Sequence, residues 1–82
     1  MYKEIKENLR MTDVEACNRY EDSYVIMRMD SIESDMGTVL FVGDNEREIK
    51  DVLYGMEDHA YCGIIEGANL LRSMGGVVVT SG

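Results

Sequence analysis

A histidine and a cysteine, side chains often used for metal binding and nucleophilic catalysis, lie close together in the second half of the chain. His59 and Cys62 are separated by two residues, as zinc ligands often are, and Asp58 and Cys17 would complete a tetrahedral set. The sequence has no second pair with ligand spacing and no motif for an oxyanion hole. We therefore expect no metal, no cofactor and no catalytic residue, and a metal-dependent or thiol enzyme remains a secondary hypothesis.

Two other segments contain residue types that bind ions. Residues 30–35 place three carboxylates in one loop, but without the glycine and the ligand order of a calcium-binding EF-hand. Residues 67–76 contain three glycines and only Arg72 to meet a phosphate, and they lack the glycine-lysine order of a phosphate-binding loop. We expect a solvated acidic loop in the first case and glycines that end a helical turn in the second.

Carboxylates recur at helical spacing between residues 44 and 58. In a helix they would lie along one side, and the acids of the preceding loop would extend that side. The residues of this predicted interaction surface are Glu33, Asp35, Asp44, Glu48, Asp51 and Asp58. Such a row of carboxylates can substitute for nucleic-acid phosphates in a basic cleft, and the competing interpretation is an ordinary solvated helix face.

The charge is unevenly divided along the 82 residues. Residues 11–58 contain thirteen acids and four bases, residues 59–82 contain one of each, and the whole chain has a net charge of −8. This sign argues against direct binding to nucleic acid, where lysine and arginine supply most of the affinity, and against binding to anionic membranes. It favours a basic protein surface as the partner.

Length and cysteine content indicate one cytoplasmic domain over residues 1–82. A chain of this size has room for a single small core. The two cysteines follow no secretory signal, so we expect reduced thiols in a cytoplasmic protein. No apolar run approaches the roughly 20 residues that a membrane-spanning helix needs.

The first half of the chain predicts a helix followed by a hairpin. Apolar residues at helical spacing predict a helix over residues 2–21, in one or two pieces, with Thr12 and Glu15 as a capping box inside it. Alternating apolar residues predict a strand over 24–30, and the apolar run over 38–43 predicts a second strand buried on both faces. We expect these two strands to pair antiparallel.

The second half predicts a capped helix and further strands. Asn45 precedes an apolar stripe that predicts a helix over 46–57. A strand over 61–66 and a short helical turn over 68–74 should follow. The resulting fold class is α+β, with the order α-β-β-α-β-β.

An uncharged edge strand is predicted near the C-terminus. Val77, Val78 and Val79 follow a pair of glycines and are strong strand formers. An exposed edge of this kind invites pairing with another chain, and a small core gains from extra burial. These valines are therefore the predicted interface of a homo-oligomer.

Four segments resemble those of small uncharacterised proteins from bacteria and their mobile elements. The segments are SYVIMRMD, MGTVLFVGDN, CGIIEG and GGVVV, and the resemblance covers most of residues 20–80. No activity is attached to that family. The resemblance therefore implies a compact α/β fold and leaves the chemistry open.

Together these observations favour a non-enzymatic acidic module for protein–protein interaction. Its more specific form is an inhibitor that mimics nucleic acid toward a basic, nucleic-acid-handling enzyme. The alternative is a homo-oligomer that binds a nucleotide or metabolite between subunits. The residues of that alternative site are Tyr61, Cys62, Gly67 and Arg72.

Overall fold

Antiparallel strand pairing and two helices organise the chain into a small α+β fold in the computed structural model. The structure describes residues 1–31, 33–57, 59, 62–66, 71–74 and 77–80, and it describes 66, 71–74 and 77–80 by their backbone alone. The strands are β1 (Tyr2–Glu4), β2 (Arg10–Thr12), β3 (Tyr24–Met29), β4 (Met36–Gly43), β5 (Cys62–Glu66), β6 (Leu71–Met74) and β7 (Val77–Thr80). The helices are α1 (Asp13–Arg19) and α2 (Glu46–Tyr54).

The order of strands across the sheet places β4 and β3 near one side and β7 at the far side. β1 and β2 both pair with the same edge of β4, and the order then continues through β3, β5, β6 and β7. Each of these pairings is antiparallel. The predicted hairpin of β3 and β4 is confirmed.

The N-terminal segment is extended, so the predicted helix over residues 2–21 is wrong up to Thr12. β1 pairs with the end of β4 and β2 with its beginning. Between them, residues 6–8 leave the sheet as an excursion. Ile5 and Leu9 stand on either side of this excursion and pack against the same core cluster, which accounts for their helix-like spacing.

α1 begins where the capping box predicts. The Thr12 hydroxyl accepts a hydrogen bond from the Glu15 backbone N–H at 3.1 Å, and the Glu15 carboxylate accepts one from the Thr12 N–H at 3.3 Å. A cap of this kind stabilises a helix by about 1 kcal/mol. The helical part of the N-terminal prediction is therefore confirmed for residues 13–19.

β3 presents different residues to the two faces of the sheet. Val25, Met27 and Met29 are buried in one cluster, as the alternation predicts, while Ile26 is buried in a second cluster on the opposite face. A bulge in β4 interrupts the register, because Ile26 lies opposite Phe41 and Met27 lies opposite Val39. The sheet therefore has apolar contacts on both faces.

α2 covers the second face of the sheet. Asn45 caps it through a hydrogen bond from the Glu48 N–H to the Asn45 side-chain oxygen, at 3.1 Å. Ile49 and Leu53 are fully buried against β3 and β5. The helix ends at Tyr54, three residues before the predicted end, and Gly55 caps its C-terminus.

Two clusters make up the core among the described residues, one on each face of the sheet. The cluster on the α1 face consists of Met11, Ala16, Val25, Met27, Met29, Val39 and Ile65. The cluster on the α2 face consists of Ile26, Ile49, Leu53 and Cys62. The methionines of the first cluster fill core volume, as is common for this flexible side chain.

The C-terminal strands extend the sheet away from β3. β5 confirms the predicted strand from Cys62 onward, whereas Tyr61 lies outside the described residues. The predicted helical turn over 68–74 is wrong for Leu71–Met74, which forms β6 and pairs with both β5 and β7. The predicted C-terminal strand is confirmed as β7.

The helices are short. None of those in the described part of the chain is long and apolar enough to cross a membrane.

Candidate acidic interaction surface

β4 separates the predicted acidic residues into two groups. The loop with Glu33 and Asp35 precedes β4, and Asp44 follows its last residue. From its first residue to its last, β4 spans about 23 Å, seven steps of roughly 3.3 Å each. We call the side of the molecule with Glu33 and Asp35 the hairpin end, and the side with Asp44 the helix end.

At the helix end, two carboxylates of the predicted interaction surface share one cation. The Met1 amino group lies 2.8 Å from Asp44 Oδ1 and 2.9 Å from Glu48 Oε1. The hydrogen bond to Asp44 and the nearby Glu48 carboxylate raise the pKa of the amino group, and the amino group in turn lowers the pKa of Asp44. The two negative charges are therefore partly compensated where they stand.

Glu48 is the least accessible of the predicted interaction residues that the structure describes. Its side chain is half-buried, and Oε1 is enclosed without a hydrogen bond of good geometry although the amino group is near. Asp51 lies further along α2 and is exposed. Asp58, the last member of the predicted row, lies outside the described residues.

At the hairpin end, serine hydroxyls order the acidic loop. The Ser34 N–H donates to the Ser31 hydroxyl at 3.1 Å, and the Met36 N–H donates to the Ser34 hydroxyl at 3.0 Å. Glu33 and Asp35 are exposed, and these bonds hold the backbone at Ser34 and Met36 beside them. Among the described residues, neither carboxylate has an ion-pair partner.

Glu15 joins the hairpin end, although sequence reasoning assigned it only to a helix cap. β2 pairs with the start of β4, and the Asp13 N–H donates to the Asp35 carbonyl at 2.8 Å. This contact brings the first turn of α1 beside the acidic loop. The capping box in the sequence does not predict that the acidic loop lies beside α1. This proximity depends on the pairing of β2 with β4.

A cation also lies at the hairpin end, but it is engaged. Arg10 Nη2 is 2.5 Å from Asp30 Oδ2, and Arg10 Nη1 donates to the Thr38 hydroxyl at 3.2 Å. The ion pair raises the pKa of the Arg10 guanidinium. Arg10 and Asp30 thus neutralise each other. Arg28 is a second exposed cation at this end, opposite Thr38 on the other side of β4, and the carboxylates of Glu15, Glu33 and Asp35 outnumber it.

His59 and Cys62 have separate surroundings. The His59 Nδ1 lies 3.0 Å from the Met56 carbonyl oxygen, and the ring stands edge-on to Tyr54. Since a carbonyl oxygen can only accept, this hydrogen bond requires the proton on Nδ1. Cys62 is buried in the cluster on the α2 face. In the described part of the chain, no three ligating side chains converge on a metal position.

The two thiols should differ in reactivity, and we expect Cys17 to be alkylated at least about tenfold faster than Cys62 in the folded protein. Cys17 is half-buried, whereas Cys62 is fully buried. Burial raises the pKa of the Cys62 thiol, and the neighbouring Arg28 guanidinium opposes this rise only in part. Iodoacetamide labelling followed by mass spectrometry measures both rates.

The control for this labelling experiment is the same reaction in urea, where the two rates should converge. A Cys17→Ser variant should retain only the slow reaction. Equal rates in the native protein would contradict the burial of Cys62.

The alternative ligand site is only partly covered by the described residues. Tyr61 and Gly67 lie outside them. Cys62 is buried, and the backbone of Arg72 lies between Ile65 of β5 and Val79 of β7. A ligand site between subunits therefore stays a prediction.

Comparison with known proteins gives no independent indication of function: no family model, no curated protein and no solved structure matches this chain.

Proposed function

We propose that this protein is a non-enzymatic interaction module that binds a basic surface of a partner protein through its hairpin end. The observation that carries the proposal is the pair of exposed carboxylates of Glu33 and Asp35, which have no ion-pair partner in the described part of the chain and stand on a hydrogen-bonded loop. A net charge of −8 adds a long-range attraction toward a basic partner.

The hairpin end suits this role better than the helix end does. Carboxylates that are already paired lose part of their attraction for a partner's cations, as Asp44 and Glu48 do beside the Met1 amino group. A loop fixed by serine hydroxyls also needs less ordering when it binds. Glu15 extends the same surface from the first turn of α1.

The specific form of the proposal is inhibition of a nucleic-acid-handling enzyme. Arginine and lysine side chains that hold phosphates bind carboxylates through the same charge-assisted hydrogen bonds. A partner's nucleic-acid channel would accept the hairpin end, with Glu15 as a further contact from α1. Nucleic acid and this protein would then compete for one site.

The test compares two double variants with the same change in charge. Glu33→Gln with Asp35→Asn removes two charges from the hairpin end, and Glu21→Gln with Asp22→Asn removes two exposed charges from the turn beside the helix end. We expect the first variant to bind the partner at least about tenfold more weakly, a loss of about 1.4 kcal/mol or more. The second should bind almost as well as the unaltered protein.

The partner is first captured from a host lysate with the unaltered protein and identified by mass spectrometry, and its affinity for each variant is then measured with purified components. Binding should weaken as salt concentration rises, because salt screens exposed charges. Release of the partner by added DNA or RNA would support the inhibitor form. If both variants lost the same affinity, net charge alone would account for binding and the assignment to the hairpin end would be overturned.

A further inference from the structure

The sheet has two outer edges, and they differ in how they resist pairing with another chain. One edge is formed by β1 and β2 and the other by β7. An unprotected edge offers a row of backbone N–H and C=O groups to any extended chain nearby. The contrast between the two edges therefore indicates where a second chain can add.

The N-terminal edge is guarded in two ways. Residues 6–8 leave the sheet between β1 and β2, so the edge is divided into two short pieces of three residues each. Lys3, Lys6 and Arg10 are exposed along this segment. Interruptions and charged side chains are the usual means by which edge strands avoid pairing.

β7 has neither form of protection. Its four residues pair with β6 without a register shift, from Met74 opposite Val77 to Leu71 opposite Thr80. The sequence VVVT carries no charge and consists of strong strand formers. Among the strands that the structure describes, none pairs with the other edge of β7.

We propose that a second copy of this chain pairs with β7, antiparallel to it, so that the two sheets join across a two-fold axis. The charge distribution favours β7 as the place where two copies meet. Two copies with a net charge of −8 each repel one another over most of their surface, whereas residues 73–82 contain no charged side chain. A two-fold axis at β7 brings these uncharged segments together and places the acidic hairpin ends of both copies away from the strand pairing.

The association is tested by sedimentation equilibrium on the full chain over a wide range of concentrations. The unaltered protein should reach twice the 9.3 kDa mass of the chain as its concentration rises. Val78→Lys puts like charges into the short pairing, and we expect it to weaken dimerisation by at least about tenfold. Val14→Lys is the matched control, since Val14 is 50% exposed on α1, and it should dimerise like the unaltered protein.

Hydrogen exchange on the unaltered protein provides a second measurement that does not depend on a variant. Amides of residues 77–80 should become more protected as concentration rises, while those of β1 and β2 should not. Dimerisation should also strengthen with salt, which screens the repulsion between anionic copies. This dependence is opposite to that expected for a basic partner.

Three results would overturn the proposal. They are a monomer at all concentrations, a Val78→Lys variant that dimerises as well as Val14→Lys, and protection of residues 77–80 that is independent of concentration. A dimer whose concentration-dependent protection falls on β1 and β2 would also contradict it. None of these results depends on the binding of a basic partner at the hairpin end.

Discussion

Replacing Gly37 with alanine should destabilise the protein by about 2–3 kcal/mol, near the upper part of the range for overpacked core positions. A Cβ atom at this position would lie 2.6 Å from the Arg28 carbonyl oxygen and 3.1 Å from the Met29 Cα. These are backbone atoms of the neighbouring strand. They can move away only if β3 and β4 separate, which would disturb the pairing at the hairpin end.

The packing around Gly37 adds to this effect. Met11 in β2 and Met29 in β3 both lie opposite Gly37, one on each side of β4. The Met29 sulfur would be 3.0 Å from the added Cβ atom. Both methionines belong to the buried cluster on the α1 face, so a displaced thioether has little space into which it can move.

Urea unfolding followed by circular dichroism measures this loss, and Gly43→Ala is the matched control in the same strand. There the added Cβ atom would meet the side chains of Ile49 and Tyr2, at 2.9 and 3.0 Å. Ile49 Cδ1 is the end of a side chain, and Tyr2 lies in β1, an exposed strand of only three residues, so both can move more readily than the backbone of β3. We therefore expect Gly43→Ala to cost less than half as much, and equal losses would show that the Arg28 carbonyl is not the limiting contact.

Truncation of Leu53 to alanine should cost about 2–5 kcal/mol, as is usual for a fully buried leucine. Leu53 has 0% exposure and holds α2 against the sheet together with Ile49. A chain of this length has a total stability of only about 4–12 kcal/mol. At the low end of that range a loss of this size would leave the variant close to unfolded.

The control for this prediction is the same substitution at a half-buried leucine. Leu9 packs at the margin of the cluster on the α1 face, beside the excursion of residues 6–8. Leu9→Ala should lose less than half the free energy of unfolding that Leu53→Ala loses. A larger loss at Leu9 would mean that the N-terminal edge contributes more to stability than α2 does.

Local patterns in the sequence were sufficient for several elements. Asn45 and the apolar residues that follow it predicted α2, because cap and stripe lie within one short segment. The capping box of Thr12 and Glu15 predicted the start of α1 for the same reason. Alternation over residues 24–30 likewise predicted that Val25, Met27 and Met29 share a buried face, but it did not predict the burial of Ile26 on the opposite face.

The remaining elements depended on residues distant in the chain. Residues 2–4 and 10–12 form strands because β4, about thirty residues later, offers an edge to them, and nothing within the segment distinguishes this from a helix. Leu71–Met74 is a strand because it lies between β5 and β7. Strand pairing of this kind is a long-range interaction that local spacing does not report.

The candidate surface shows the same division. Composition alone establishes that the protein is anionic and that its C-terminal third is almost uncharged. Folding then decides which carboxylates stay unpaired: docking of β1 on β4 brings the Met1 amino group to Asp44 and Glu48, while the loop of Glu33 and Asp35 meets no described cation. Charge is a property of each residue, whereas its compensation depends on which neighbours the sheet brings within a few ångströms.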